Sequence, residues 1–392
     1  MGNHFRPNLT VLLMLALFLL VPTKASNFTA GRGHVLVNTH SEYQEEDYPY
    51  KAFLPIVMKA SPSTTPMPAP SPQPTIPPDS DMPLKVAFIS DSESMVKFDE
   101  VLELIKAEGA ELVLEQADYG EMQQWEATIN TILGPDFPYL GPAYSFKWPD
   151  NPRVQFFLDR IDKMGGEFSE PPPGGGDEYS AKGSYSVAWR GLKLVFSTAV
   201  GHADWTREAL MGDTHTWRIC SWHEGRADFT PGGKGDSTSL EAYKACAEYG
   251  AIIANGNDHL YGRTCTLVDM ANPSNKYGAD CSPANQLRLG PGSTFVFVSG
   301  LAGHNWREYR EDLHDDDGWW GTIYTSTRYC RDNCTRPNLS GQDRNNDITP
   351  YNIEFGALFI TFNVNGNPNQ AHGYFKTLQG ELIDEFDITV QP

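Results

Sequence analysis

Between Ser61 and Pro83 the chain is built mostly of proline, serine and threonine. Proline locks φ and removes a backbone donor, and the tract has too few apolar side chains to build a core. It therefore reads as an extended, semi-rigid linker. That linker divides the chain into a part that can fold around a core and a part that cannot. Residues 26–60, ahead of it, are polar and aromatic without a period and read as an N-terminal spacer segment. Residues 1–25 read as a signal peptide: Arg6, an apolar run from Leu9 to Val21, then Thr23-Lys24-Ala25 at the cut. The run is shorter than the roughly 20 residues needed to span a bilayer. The expectation is a secreted, extracytoplasmic protein cleaved near Ala25, whose globular domain is residues 84–392.

Charge narrows the partners. The sequence carries 50 acidic against 30 basic residues, a formal net charge of −20. Such a field opposes binding to nucleic acid or an anionic membrane surface, so neither is expected, nor is membrane insertion; no protein partner is predictable. Export also changes the meaning of the six cysteines, which in an oxidising compartment favour disulfides. Cys330–Cys334 and Cys265–Cys281 are the expected local staples. No CxxC pair or Cys/His alternation supports a zinc-thiolate site.

The domain opens as an α/β alternation. Lys85–Ser90 and Glu111–Glu115 read as buried strands, each followed by a helix, the first with Phe98, Val101, Leu102 and Ile105 on one face. Further strands are expected at 184–189, 192–197, 216–222 and 251–254, with a helix over 237–249 between the last two. Beyond Thr294 the pattern turns mostly to β, at 294–299, 357–364, 373–377 and 381–389. The fold class expected is mixed α/β and α+β: two packed sheets flanked by helices. The loop Glu170-Pro-Pro-Pro-Gly-Gly-Gly-Asp177 lacks the Lys-Ser/Thr of a phosphate cradle.

Polar groups follow the strands in register. Asp91 follows the first, Asp118 the second, His223 the strand ending at Trp222, and Asn257 with His259 the strand ending at Ala254. Strand carboxyl ends are where sites assemble in open α/β sheets, and carboxylate oxygens with imidazole nitrogens suit zinc, manganese or iron. Taken singly, each has an ordinary structural explanation, such as helix capping; five in register point to metal.

The stretches Trp217-Arg-Ile-Cys-Ser-Trp-His223, Gly232-Gly-Lys-Gly-Asp236, Gly250-Ala-Ile-Ile-Ala254 and His259-Leu-Tyr-Gly-Arg-Thr264 resemble the calcineurin-like metallophosphoesterase superfamily, in its purple-acid-phosphatase-like form. So do Phe295–Leu301, Gly356–Ile360 and the ending from Gly373 to Phe386. The resemblance implies a β-sandwich flanked by helices and a two-metal centre that hydrolyses phosphate esters with metal-activated water. Carried over by position, the first aspartate matches Asp91 and the bridging aspartate of a Gly-Asp motif matches Asp118, with Ala117 in place of the glycine. The isolated histidine matches His223, and a closing His-x-His matches Asn257-Asp258-His259. The Asn-His motif expected near Gly141 is replaced by Gly-Pro-Ala-Tyr, which removes a metal ligand and the leaving-group acid.

These departures imply a lopsided centre. One position keeps Asp91, Asp118 and His259, with Glu93 as an added carboxylate; the other keeps Asp118 and His223 with Asn257. One occupied metal is expected more readily than two. Two functions follow: a secreted phosphoesterase with weakened activity towards small phosphate mono- or diesters, or an inactive phosphoesterase fold used as an extracellular binding module. His202, His215 and His304 read as ordinary loop histidines, although any of them would be a source of a replacement ligand. Asp343, Asn345, Asp347 and Glu354 have calcium-loop spacing, but Ile348 stands where a glycine is needed, so a solvated turn is the better reading. The run His314-Asp-Asp-Asp-Gly-Trp-Trp320 reads as a loop whose tryptophans are available to line a cleft.

Overall fold

The strand Leu84–Ile89 (β1) is buried along almost its whole length, as a strand flanked by neighbours and covered on both faces must be. It lies in a computed structural model that describes residues 82–143, 151–170, 183–314, 316–332, 334 and 353–391. The leader, the spacer, most of the proline-rich tract, the glycine-rich part of the 170–177 loop and the Asp343–Asp347 turn lie outside the described residues.

In chain order β1 is followed by α1 (Phe98–Ala107), β2 (Leu112–Glu115), α2 (Met122–Ile132), β3 (Tyr139–Leu140), α3 (Pro152–Met164), β4 (Glu167–Ser169), β5 (Tyr185–Trp189) and β6 (Leu192–Phe196). Then come α4 (Ala203–Leu210), β7 (Trp217–Ser221), α5 (Leu240–Glu248), β8 (Ile252–Asn255), β9 (Tyr261–Thr264), β10 (Gln286–Leu289) and β11 (Val296–Ser299). The chain continues through α6 (Glu311–His314), β12 (Trp320–Tyr324), β13 (Tyr329–Arg331), β14 (Gly356–Phe362), β15 (Gln370–Thr377) and β16 (Leu382–Val390). Among the described residues these strands form a seven-stranded sheet, β10-β16-β15-β14-β1-β2-β3, and a nine-stranded sheet, β13-β12-β9-β11-β8-β7-β6-β5-β4. The β1-β2-β3 run and the β6-β7-β8-β11 run are parallel, so their carboxyl ends lie together within each sheet.

The sheets pack through aromatic pairs that cross between them. Phe88 meets Phe297 with ring centroids 5.1 Å apart, Trp217 meets Phe362 at 5.0 Å and Tyr261 meets Phe375 at 4.4 Å. At one place the bond between sheets is ionic. Arg263 on β9 donates from Nε to Asp384 Oδ2 on β16 at 2.6 Å and from Nη2 to Oδ1 at 3.0 Å. Tyr261 and Thr322 donate to the same carboxylate at 2.7 and 2.8 Å, so the buried charge is fully coordinated. A second apolar cluster lies on the other face of the larger sheet. There Trp222 packs on Tyr243 of α5, and Cys220 of β7 is bonded to Cys246 of α5. Cys265–Cys281 and Cys330–Cys334 are the other disulfides. No helix among the described residues is long and apolar enough to cross a membrane.

Several elements differ from the sequence expectation. β9 and β12 emerge as central strands of the larger sheet, and α3 and α4 as helices, where no regular element was expected. Trp319 and Trp320 do not line a cleft. Both are buried, with their indole N–H groups given to Asp228 O at 2.8 Å and Asp317 Oδ2 at 3.0 Å.

The clamp between sheets predicts a large cost for breaking one side of it. Arg263→Met or Asp384→Asn should lower unfolding free energy by about 3–5 kcal/mol, because each leaves a buried group unpaired. Replacing both residues by apolar ones should restore much of that loss. Denaturant unfolding of the three variants reads this out, and single losses below about 1 kcal/mol would contradict the assignment.

Candidate metal centre

Five strands end at one seam between the sheets: β1 and β2 from one, β7, β8 and β11 from the other. The backbone turns sharply where they end. Asp91, Ala117, Asp118 and Asn257 all have left-handed φ, at 63°, 67°, 48° and 67°. Non-glycine residues adopt such angles at a cost, and a cluster of them at strand ends marks a site held in place by its surroundings. Cross-links between the turns do this: Asp91 N–H donates to Ala117 O at 3.2 Å, Gly256 N–H to His223 O at 3.0 Å and Ala302 N–H to Ser90 O at 3.3 Å. Two glycines permit the close approach. A Cβ on Gly256 would meet Ser90 Oγ and lie 2.7 Å from Gln116 O, and one on Gly300 would lie 2.7 Å from Asp91 Oδ2.

The first group at the seam is Asp91, Asp118 and His223, whose ligand atoms lie within 4.8 Å of one another. His223 Nε2 stands 3.0 Å from Asp118 Oδ2. Its Nδ1–H donates to Gln116 O at 2.7 Å, which fixes the ring so that Nε2 faces the carboxylates. Asp91 is fully buried, and among the described residues neither of its oxygens has a hydrogen-bond partner. Burial pushes its carboxyl up to about 7. Burial also raises Asp118, but the hydrogen bond and charge of His223 outweigh it and leave Asp118 below the usual range. His223 is lowered by burial and raised more by Asp118 and Asp91. Two carboxylates and an imidazole, one carboxylate wholly unsatisfied, form a donor set that fits a divalent cation.

The second group is Glu93, His259 and His304, again within 4.8 Å. His304 Nε2 stands 2.7 Å from Glu93 Oε1, and the His259 and His304 rings are 4.0 Å apart. His259 Nε2 lies 3.6 Å from Asp91 Oδ1, so the groups adjoin. Burial, with the neighbouring His304 and Arg307, pushes His259 down to about 4 and keeps it neutral. Glu93 and His259 gather around His304, His223 sits with both aspartates, and His259 also adjoins Asp91, as the expected grouping has it. The reason is topological: β11 lies between β8 and β9, so the turn after it reaches the His259 side of the seam. Of the three loop histidines named as sources of a replacement ligand, His304 is the one that joins a group here. His202 and His215 stay local, paired with Thr198 at 2.9 Å and Asp213 at 2.7 Å.

Cations and a cleft flank the seam. Asp258, between Asn257 and His259, is buried and accepts bonds from Thr230 Oγ1 and, at 2.9 Å, from Gly232 N–H. It thereby anchors the loop bearing Lys234, whose positive charge helps to lower Asp118. On the other side a cleft of about 320 Å³ is lined by Glu93, Asp118, Tyr119, Met122, Asn151, Pro152 and Arg153. The Arg153 guanidinium lies over the rings of Tyr119 and Trp125, at 4.7 and 5.2 Å. Below the turn, Glu115 is buried and accepts from Ser92 at 2.5 Å, Trp125 at 2.9 Å and Tyr139 at 2.5 Å, although burial still pushes it up to about 7.

The two-sheet architecture shares its fold with a solved phosphatase. Among solved structures, the chain is similar to a purple acid phosphatase, PPD1 from yellow lupin (Lupinus luteus) seeds, with a TM-score of 0.51 and 13% identity over 80% of this chain and 55% of that one. It thus spans about half the length of the lupin enzyme. It is also similar to PhoD (TM-score 0.44, 10% identity, 75% of this chain and 66% of that one). A third is GAP50, the anchor in the inner membrane complex of Plasmodium (TM-score 0.40, 9% identity, 79% and 90%). No protein-family model matches the chain, and no curated protein is significantly similar to it.

Ala117 is the clearest strained position. A left-handed residue with a Cβ costs about 1–2 kcal/mol, and glycine's greater unfolded-state freedom returns about 0.5–1 of that. Ala117→Gly should therefore stabilise the domain by roughly 0.5–1 kcal/mol. Equilibrium unfolding checks the sign, and a destabilised variant would contradict the strain argument.

Proposed function

We propose that the chain is an exported metal-dependent phosphoesterase that hydrolyses small phosphate mono- or diesters. The observation that carries the reading is the buried Asp91 carboxylate without hydrogen-bond partners, set beside the Asp118–His223 pair in a phosphatase-like fold. Asp91, Asp118 and His223 would hold zinc, manganese or iron. A metal bound there supplies a Lewis acid that activates water at neutral pH and neutralises phosphoryl charge. Asn257 would contribute at most a neutral carboxamide.

The chain's own residues do the rest. Gln116 O keeps the His223 ring oriented, and the turn strained at Ala117 and Asp118 keeps the Asp118 carboxylate aimed at the seam. Lys234, whose charge acts on Asp118, and Arg153, which lines the same cleft as Asp118, would supply positive charge for phosphoryl oxygens. The acidic surface disfavours polyanions, which leaves small esters as the substrate class. Export rests on the leader pattern and agrees with the three disulfides.

A binding module is the second reading, favoured by the Gly141-Pro-Ala run where the resemblance expects an asparagine and a histidine. Turnover of aryl phosphate mono- and diesters, with zinc, manganese and iron in turn, separates the two. The proposal expects metal-dependent hydrolysis that Asp118→Asn lowers by at least about 10²-fold. Saturable ligand binding with no turnover under any metal would sink the enzyme reading.

A further inference from the structure

We infer that Glu93, His259 and His304 form a second metal position, adjoining the Asp91–Asp118–His223 group and completed by a histidine that the sequence pattern does not assign. The inference rests on the reading of this seam as a metal centre and specifies which residues make its second half.

The donor set comes first. Two imidazoles and one carboxylate, each offering an atom within 4.8 Å of the other two, suit zinc, manganese(II) or iron(II). An ordinary ion pair accounts for Glu93 and His304, but it does not account for His259. The His259 side chain is almost wholly buried, and its Nε2 lies 3.6 Å from Asp91 Oδ1, beyond hydrogen-bond reach. Among the described residues that nitrogen has no hydrogen-bond partner.

Orientation is the second argument. His259 Nδ1 lies 2.8 Å from Asn305 O and 3.0 Å from Asn305 Oδ1. Donation from Nδ1–H there leaves the His259 Nε2 lone pair free, as happens when an outer group orients a histidine ligand to a metal. His304 Nδ1 contacts the same Oδ1 and accepts from Asn305 N–H at 2.8 Å, and its Nε2 faces Glu93. Asn305 follows His304 directly, so the turn after β11 brings a ligand and the group that orients His259.

Access is the third. Glu93 lines the same cleft as Asp118 and Arg153, so a cation at Glu93 would share that opening with one at Asp118. Asp91 Oδ1, buried and unsatisfied, lies between the two groups and would feel both charges.

The test is metal content. Metal-stripped full-length protein is reloaded with zinc or manganese, desalted, and analysed by mass spectrometry for metal per chain, alongside His304→Ala, Glu93→Gln and Asp118→Ala. The wild type should hold two metals, and His304→Ala and Glu93→Gln should each hold about half as much. Asp118→Ala should keep the metal that those variants lose. Glu93→Gln preserves shape, so it decides the matter should His304→Ala fold poorly. Content left unchanged by both His304→Ala and Glu93→Gln overturns the second position while leaving the Asp91–Asp118–His223 reading intact. A wild-type chain that retains no metal overturns both.

Discussion

A carboxylate held away from water without a hydrogen bond is among the most costly things a folded chain can contain, and among the described residues Asp91 is such a group. It is tolerated either as the neutral acid, towards which burial drives it, or as the ligand of a cation. The surroundings favour the second. Asp118 stays ionised, His223 presents Nε2 towards the carboxylates, and His259 is kept neutral. A site intended to hold a proton on Asp91 would have no use for two oriented imidazoles beside it.

The rest of the fold keeps that seam closed. The Arg263–Asp384 clamp and the aromatic pairs fix one sheet against the other, so turns from both sheets meet at a set distance. Cys220 lies three residues before His223 and is tied to α5, which limits how far that turn can shift. Glycine at 256 and 300 removes the side chains that would push the turns apart. The strain at Asp91, Ala117 and Asp118 is then a consequence of closure, sustained by packing on every side.

Much of this was legible in the sequence because β1, β2, β7, β8 and β11 are mostly apolar, and the polar residues past their ends stand out. That is why Asp91, Asp118, His223 and His259 stand out by position, and the fold brings all four to one seam. The same signal existed for His304, which follows the β11 run, but Gly300-Leu-Ala-Gly303 intervenes and made it read as an ordinary loop histidine. β9 was hidden by Arg263, whose charge argues against a central strand until Asp384 is seen opposite it. β12 and its tryptophans were hidden by the aspartates before them, one of which, Asp317, turns out to be bonded to both His314 and Trp320. How the ligands divide into two groups depends on sheet order, which spacing along a single chain does not encode.

Thermal unfolding of the wild type and of Asp91→Asn, at pH 8 with chelator and again with manganese or zinc, tests the central claim most directly. If a cation is what satisfies Asp91, metal should raise the wild-type Tm by several degrees, since saturation at about 100 times Kd is worth about 2.7 kcal/mol. The variant, relieved of its buried charge, should be at least as stable as the wild type in chelator and respond far less to metal. A wild-type Tm indifferent to metal, with Asp91→Asn the less stable protein in chelator, would mean that the buried carboxylate is satisfied some other way.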